Sequence, residues 1–429
     1  MPNNYGTISV SNPMNSRWRD KLTRPMMIFD IAVLWYYSFS GSITLRPMAS
    51  MFWIFMAVLG LFIFKMDKFP VNRYVMFGLL SVLYMLATAM LSSSIDASVK
   101  YALTMLLYLI VAVELTSNRE NIFFLINALF WYTVVLMLIG YVQQLLPDVY
   151  EEVFLPLLPE NHQRGILFFM GQNTVTGFFN QTSRNALAMG LGTGLCVFRL
   201  MKTDKNKTAL RGTYVALLLA FVYQLLNTKK RGALVAVLLV LAYIVYTNRR
   251  NWMTKLMITF SSAAMVLFGG INYIPGMSEL LNKNEYYAEG GDVSNGRFEI
   301  WSDYLNMILQ KPLFGFGADS LQTLDDARSA HNSYLQITAE LGIIGVILFF
   351  LPFVYGLLVG HKSRRKIQTN ERRKTAMLTF SMFWQLFVFI IALFESTFST
   401  ENVVFMLFVT QLIMFRFVYE REETGVKTA

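Results

Sequence analysis

The sequence predicts an all-α integral membrane protein of about twelve transmembrane helices with a large, partly helical extracytoplasmic loop. Three observations carry this prediction. Of 429 residues, 55% are hydrophobic and only 15% charged, which leaves too little polar surface to cover a soluble domain. The apolar residues gather in runs of about 20, the length a helix needs to cross a bilayer. Lys and Arg stand in short clusters between those runs, as positions that fix topology do.

Taken in order, segment 1–25 is a polar cytoplasmic tail with Arg17, Arg19, Lys21 and Arg24 ahead of the first apolar run. No small-residue cleavage site follows that run and a second begins soon after, so a retained helix is expected rather than a cleaved signal peptide. Spans near 26–43, 48–64, 74–92, 98–115, 122–146, 185–201, 211–227, 232–247 and 253–271 form a first group within 26–271, with an external loop near 147–184. A large extracytoplasmic loop occupies 272–332. Three last spans near 333–360, 375–394 and 402–419 make up 333–419, and a cytoplasmic tail covers 420–429. Lipid offers no hydrogen bonds to the backbone, so each span is expected to be helical. No internal repeat is visible.

A net charge of +10 would point to nucleic acid in a soluble protein; here it reads as topology, and no nucleic-acid partner is expected. With the N-terminus inside, 26 of the 37 basic residues fall on the cytoplasmic side, as the positive-inside rule requires. Lys229, Lys230 and Arg231 defy that bias as a basic triplet in a very short external turn. Guanidinium forks and an ammonium suit an anion such as phosphate. A turn that merely touches lipid headgroups fits the same spacing.

In the second long loop, Phe298, Trp301, Leu305 and Ile308 recur at helical spacing after Asn295 and Gly296 and stop before Pro312. This predicts an amphipathic helix whose apolar stripe lies on the membrane surface. Arg297 and Tyr304 share the other face, which would look into a cleft. His331 begins the next span, with Asn332, Tyr334 and Glu340 following. A lone histidine at a membrane edge is more often structural, yet it is the side chain best suited to take a proton near neutral pH. Glu340 is placed to pair with an arginine or orient His331, and Glu395 and Glu401, which flank the last external turn, are expected to line the same cleft.

Other chemistries find little support. His162 and His361 lie far from His331 along the chain, and Cys196 sits alone in an apolar run, so no metal-ligand set and no intramolecular disulfide is expected. Gly315 and Gly317 lack the lysine of a phosphate-cradling loop, and no nucleotide or other cofactor is indicated. The acids Asp292, Glu299, Asp303, Asp319, Asp325 and Asp326 read as solvation of a loop rather than paired glycosidase carboxylates.

As an ordered set, several segments resemble the O-antigen ligase and polysaccharide polymerase family of membrane glycosyltransferases. They are Gly296-Arg297-Phe298-Glu299-Ile300-Trp301, Lys311-Pro312-Leu313-Phe314-Gly315-Phe316-Gly317, His331-Asn332-Ser333-Tyr334 and Glu340-Leu341-Gly342-Ile343-Ile344-Gly345. Upstream, Gly177-Phe178-Phe179-Asn180 with Arg184-Asn185, and Thr228-Lys229-Lys230-Arg231-Gly232-Ala233, resemble the family's other recurring segments. The likeness covers roughly 165–350.

The resemblance implies a metal-independent enzyme of the cytoplasmic membrane whose active site faces outside. Its donor would be an undecaprenyl-diphosphate-linked oligosaccharide. Carried over by motif, Arg231 and Arg297 would hold the diphosphate and His331 would be the base that activates the acceptor hydroxyl. Arg184, Lys230, Asn332, Tyr334 and Glu340 join them as candidate donor or glycan contacts, although Lys229 and Lys230 stand where the family more often has less basic residues. The first reading is a polymerase, which transfers the growing glycan to the next lipid-linked repeat unit of a capsule, exopolysaccharide or O-antigen with inversion at the sugar carbon. The alternative is a ligase that moves the glycan to lipid A core, protein or a wall acceptor; a flippase or transporter is the more distant one. A chain-length regulator and a flippase are the protein partners the family implies.

Overall fold

The computed structural model describes residues 73–116, 119–248, 296–321, 329–367, 371–399 and 401–425, and among them the chain is helical with no strand. The expected spans near 26–43, 48–64 and 253–271, and most of the loop before Gly296, lie outside the described residues. The remaining nine expected spans each fall on a helix. These are α1 (Arg73–Ala89), α2 (Ile95–Leu115), α3 (Arg119–Leu145), α5 (Thr182–Lys202), α6 (Thr208–Asn227), α7 (Arg231–Asn248), α9 (Ser333–Lys366), α10 (Arg372–Ile391) and α11 (Glu401–Gly425). Among the described residues, α4 (Glu160–Met170) and α8 (Arg297–Gln310) fall within the loops expected at 147–184 and 272–332, beside short helical turns over 147–157.

Among the described residues, α2, α3, α6, α9 and α10 are long and apolar enough to cross a membrane, and α1, α7 and α11 contain shorter apolar segments. The chain is therefore a polytopic membrane protein. Helix α5 is less apolar because Arg184, Asn185, Arg199 and Lys202 lie at its ends and glycines replace bulk in its middle. Its Gly190 and Gly194 lie against the rings of Phe387 and Phe383 of α10, where a methyl on either glycine would overlap the ring. Phe198 meets Phe380 one turn further, with ring centroids 6.4 Å apart. Without a hydrophobic drive between helices in lipid, this fit of small residues to large ones holds α5 and α10 together.

The same register runs backwards along α10, so the start of α5 lies at the end of the bundle where α10 finishes. Short connections at 203–207 and 228–230 turn α6 against α5 and α7 against α6, bringing the start of α7 to that end as well. Gly232 there touches Phe394, just past α10. Ser333 opens α9 at the same place: its N–H donates to Ala392 O at 2.8 Å, and its hydroxyl donates to Glu395 O and accepts from Thr397 N, both at 2.7 Å.

Helix α9 breaks at Gly342, where φ is 65° and ψ 179°, a conformation open to glycine and costly for other residues. The break strands backbone groups that lipid cannot satisfy, and the segment 312–317 patches them. Phe316 N and Gly317 N donate to Ala339 O and Glu340 O at 3.0 and 2.8 Å, and Ile343 N donates to Pro312 O at 2.9 Å. Further along, Pro352 has no N–H to give to Leu348 O; Ser81 Oγ supplies that bond at 2.9 Å. The patch fixes α8, which precedes it directly, against α9.

Helix α8 spans Arg297 to Gln310, as the residues around it predict. Its expected stripe is divided, however. Phe298 and Leu305 are exposed while Trp301 and Ile308 are half-buried. The inward face is built on Ile300 and Tyr304, packed with Leu321, Ala330 and Ala339. Tyr304, expected to look into a cleft beside Arg297, is instead buried in that apolar packing; burial and the nearby Glu340 push its hydroxyl up to about 12, so it stays protonated.

Candidate active site

Three of the residues singled out from the sequence, Lys230, Arg297 and His331, come together at the end of the bundle where α5 and α7 begin and α10 finishes. Each is placed by a separate device. Lys230 closes the turn between α6 and α7, a turn made possible by Lys229 at φ 52°, whose Nζ donates to Gln172 O at 3.0 Å. Arg297 is the first residue of α8. That helix is pinned beside His331 by the Trp301 indole, which donates to Ala330 O at 2.9 Å. His331 itself holds φ 46°, an uncommon conformation for a residue with a side chain, fixed between that bond and the Ser333 anchor.

Glu395 joins these groups. Its Oε1 accepts from Lys230 Nζ at 2.7 Å, and its Oε2 lies 4.0 Å from His331 Nδ1. The first is a charge-assisted hydrogen bond, and both partners are largely shielded from solvent. The second is too long for a hydrogen bond and acts as a charge contact that strengthens when the imidazole takes a proton. Burial lowers the His331 pKa from its ordinary value, Glu395 raises it, and Arg297 and Lys230 lower it again. The balance leaves a neutral imidazole near pH 7, the protonation state of a general base. Nδ1 is the ring nitrogen turned to Glu395.

Arg231 is the half-buried first residue of α7 and Arg184 stands half-buried in the first turn of α5, so both belong to this end of the bundle. Beside Arg184, the segment Gly177–Asn180 is held by buried polar bonds: Gln143 Oε1 accepts from Thr176 N and Gly177 N, and Tyr150 OH donates to Gly177 O at 2.6 Å.

Asn332, Tyr334 and Glu340 are occupied differently. Asn332 Oδ1 caps α9, accepting from Tyr334 N and Leu335 N at 3.0 and 3.2 Å. The Tyr334 hydroxyl donates to Phe389 O at 2.8 Å, and its ring stacks on Phe350. Glu340 is buried, accepting from Gln336 Nε2 and Asp319 N, both at 3.1 Å. Its place is under the α8 patch, and the acid facing His331 is Glu395, which sequence reasoning left as a residue of the cleft wall. The one signal that could have found it is an acid beside an external turn, set opposite a basic triplet that defies the charge bias. Among the described residues no three of His, Cys, Asp and Glu gather into a metal-ligand set.

A bundle of apolar helices that brings Lys230, Arg297, His331 and the Glu395 carboxylate together at one end defines a multi-pass membrane protein with a polar centre suited to anionic ligands and proton transfer. Residues 214–350 match the family described as O-antigen ligase. The stretch holding Lys230, Arg231, Arg297 and His331 lies within that match. A protein of Rickettsia conorii that bears the name of a polysaccharide ligase is 29% identical over 108 residues. That likeness covers 21% of this chain and 25% of the relative's length.

Proposed function

We propose that this protein is a membrane glycosyltransferase of the O-antigen ligase type, which moves a glycan from an undecaprenyl-diphosphate carrier to a separate acceptor such as lipid A core, protein or a wall polymer. The observation that carries the proposal is Glu395 set between Lys230 and His331. It supplies a base with a partner for the charge it acquires, beside the cations that a diphosphate needs. The polymerase reading placed first on sequence grounds would use the same donor site. It yields to the ligase reading because the family description and the name of the Rickettsia protein both speak of ligation.

In the proposed reaction, His331 Nε2 takes the proton of the acceptor hydroxyl as its oxygen attacks the anomeric carbon. The bond from that carbon to the diphosphate oxygen breaks, and the leaving diphosphate keeps the electron pair. Arg231 and Arg297 offset the charge that develops there. Glu395 stabilises the imidazolium until its proton is released. Attack opposite the leaving group inverts the sugar carbon; a product with retained configuration would contradict this step.

This reading places the twelve-span architecture in the cytoplasmic membrane with the site facing outward, the loops at 147–184 and 272–332 on that side, and the basic clusters within. A flippase would supply the donor, and a chain-length regulator would act on the glycan before transfer.

The test is transfer by purified protein given an undecaprenyl-diphosphate-linked oligosaccharide, with either lipid A core or a second lipid-linked repeat unit as acceptor, in the presence of chelator. Glycosylated core without a ladder of longer lipid-linked products is the expected result. A ladder formed only from repeat units would restore the polymerase, and inertness towards repeat units, lipid A core, protein and wall-polymer acceptors alike would remove the transferase reading.

A further inference from the structure

The opposite end of the bundle holds a second cationic centre that the transferase reading does not use. A cavity of about 1110 Å³ opens where α5 ends, α6 and α3 begin and α10 begins. Seven basic side chains line it against two acids, Asp204 and Glu371. Both acids are engaged: Asp204 pairs with Arg372 at 2.6 Å and Glu371 with Lys374 at 3.8 Å. Arg119, Arg199, Lys202, Lys207 and Arg373 complete the basic lining with no other carboxylate among the described wall residues.

Aromatic rings hold three of these cations in place, Arg119 among them with its guanidinium 6.0 Å from the centre of the Phe417 ring. The Arg199 guanidinium lies 4.7 Å from the centre of the Phe130 ring and donates to Asn127 Oδ1 at 2.6 Å, while its buried Nε has no hydrogen-bond partner. Lys202 Nζ stands 5.0 Å over Phe123 and 5.7 Å over Phe198, within electrostatic reach of Arg199 and Arg373. Cations set over ring faces keep their charge available to a ligand, where a carboxylate partner would cancel it. Positive charge on a cytoplasmic face satisfies topology without any such enclosure, so the enclosure calls for an anion.

The wall identifies the kind of anion. Leu210, Tyr214 and Phe417 line the cavity beside the cations, and Leu210 is itself exposed, as are Val215 and Leu219 further along α6. On α3, Phe124 and Trp131 are exposed in the same way. The cationic mouth therefore continues into apolar surface that faces lipid. We propose that this cavity binds the headgroup of an anionic phospholipid from the cytoplasmic leaflet, its phosphate among Arg199, Lys202 and Arg373 and its acyl chains along α3 and α6. A polybasic pocket between membrane helices suits such headgroups.

Native mass spectrometry of the full-length protein in neutral detergent, offered equal amounts of phosphatidylglycerol and phosphatidylcholine, tests this. The wild type should retain phosphatidylglycerol selectively, and the Lys202→Gln/Arg373→Gln variant should bind it about 30-fold more weakly. Arg164→Gln, in the loop at the other end, should leave retention unchanged. If the double variant does not fold, Arg119→Gln/Lys207→Gln at the rim should show the same loss. Equal retention by wild type and variant, or wild-type uptake of inorganic pyrophosphate without preference for the anionic lipid, would overturn the proposal.

Discussion

Lys230 and Glu395, 165 residues apart in sequence, meet at 2.7 Å and so tie the turn between α6 and α7 to the turn after α10. The basic triplet that defies the charge bias is thereby partly explained, since one of its three cations serves an internal carboxylate. The same carboxylate faces His331, so Glu395 and its partner Lys230 act on the histidine in opposite senses.

Substitutions at the two ends of this pair should shift the pH dependence of transfer in opposite directions. Glu395 raises the His331 pKa and Lys230 lowers it. A base works when deprotonated, so activity rises with pH through that pKa. Glu395→Gln removes the raising influence and should move the acid limb to lower pH, with a loss of about 10- to 100-fold in rate, as for the loss of a group that orients another. Lys230→Gln removes a lowering influence and should move the limb to higher pH. Shifts of the same sign would show that these charges do not govern His331.

Arg297→Gln and Arg231→Gln should each lower kcat/KM by about 100-fold, the usual scale for removing one stabiliser of developing charge. Lysine at either position should restore only part, because an ammonium cannot grip two phosphate oxygens at once. Measurement with a donor series of different carrier length would separate this loss from weaker binding of the lipid chain.

Gly342→Ala should loosen the junction of α8 with α9. A side chain is strained at φ 65°, and its methyl would overlap the Leu313 carbonyl. A loss of about 3 kcal/mol is expected, the scale of a strained backbone combined with a core clash. Thermal unfolding in detergent should report it, together with easier proteolysis near Lys311.

Gly194→Leu should destabilise the contact of α5 with α10, and Phe383→Ala in the same chain should recover much of the loss, because the added side chain then meets space instead of a ring. Additive losses in the double variant would mean that the two positions do not share one contact.

Much of the fold is legible because the bilayer imposes one rule on every span: an apolar run such as 122–146 becomes a helix wherever it packs. Helix α8 is legible from its stop at Pro312, but its stripe is not. Ile300 and Tyr304 on one face and Phe298 and Leu305 on another are both apolar, so periodicity alone does not say which faces the protein. At the candidate site, Lys230, Arg297 and His331 stand out locally, as a charge anomaly, a helix start and a lone titratable group. Glu395 does not, since its meaning lies in contacts with segments far away in the chain. Asn332, Tyr334 and Glu340 sit within the motifs that carry the family resemblance, yet their side chains cap, stack and brace. A motif records what a fold needs as well as what its chemistry needs.

The central claim is that His331 is the base of a glycan transferase, and single-turnover transfer compares it most directly. Wild type and His331→Gln, matched for thermal stability and for retention of a radiolabelled undecaprenyl-diphosphate-linked oligosaccharide, would be mixed with excess acceptor. The account predicts that the variant holds the donor as wild type does and transfers it at least about 100-fold more slowly. Transfer at the wild-type rate by His331→Gln would contradict it.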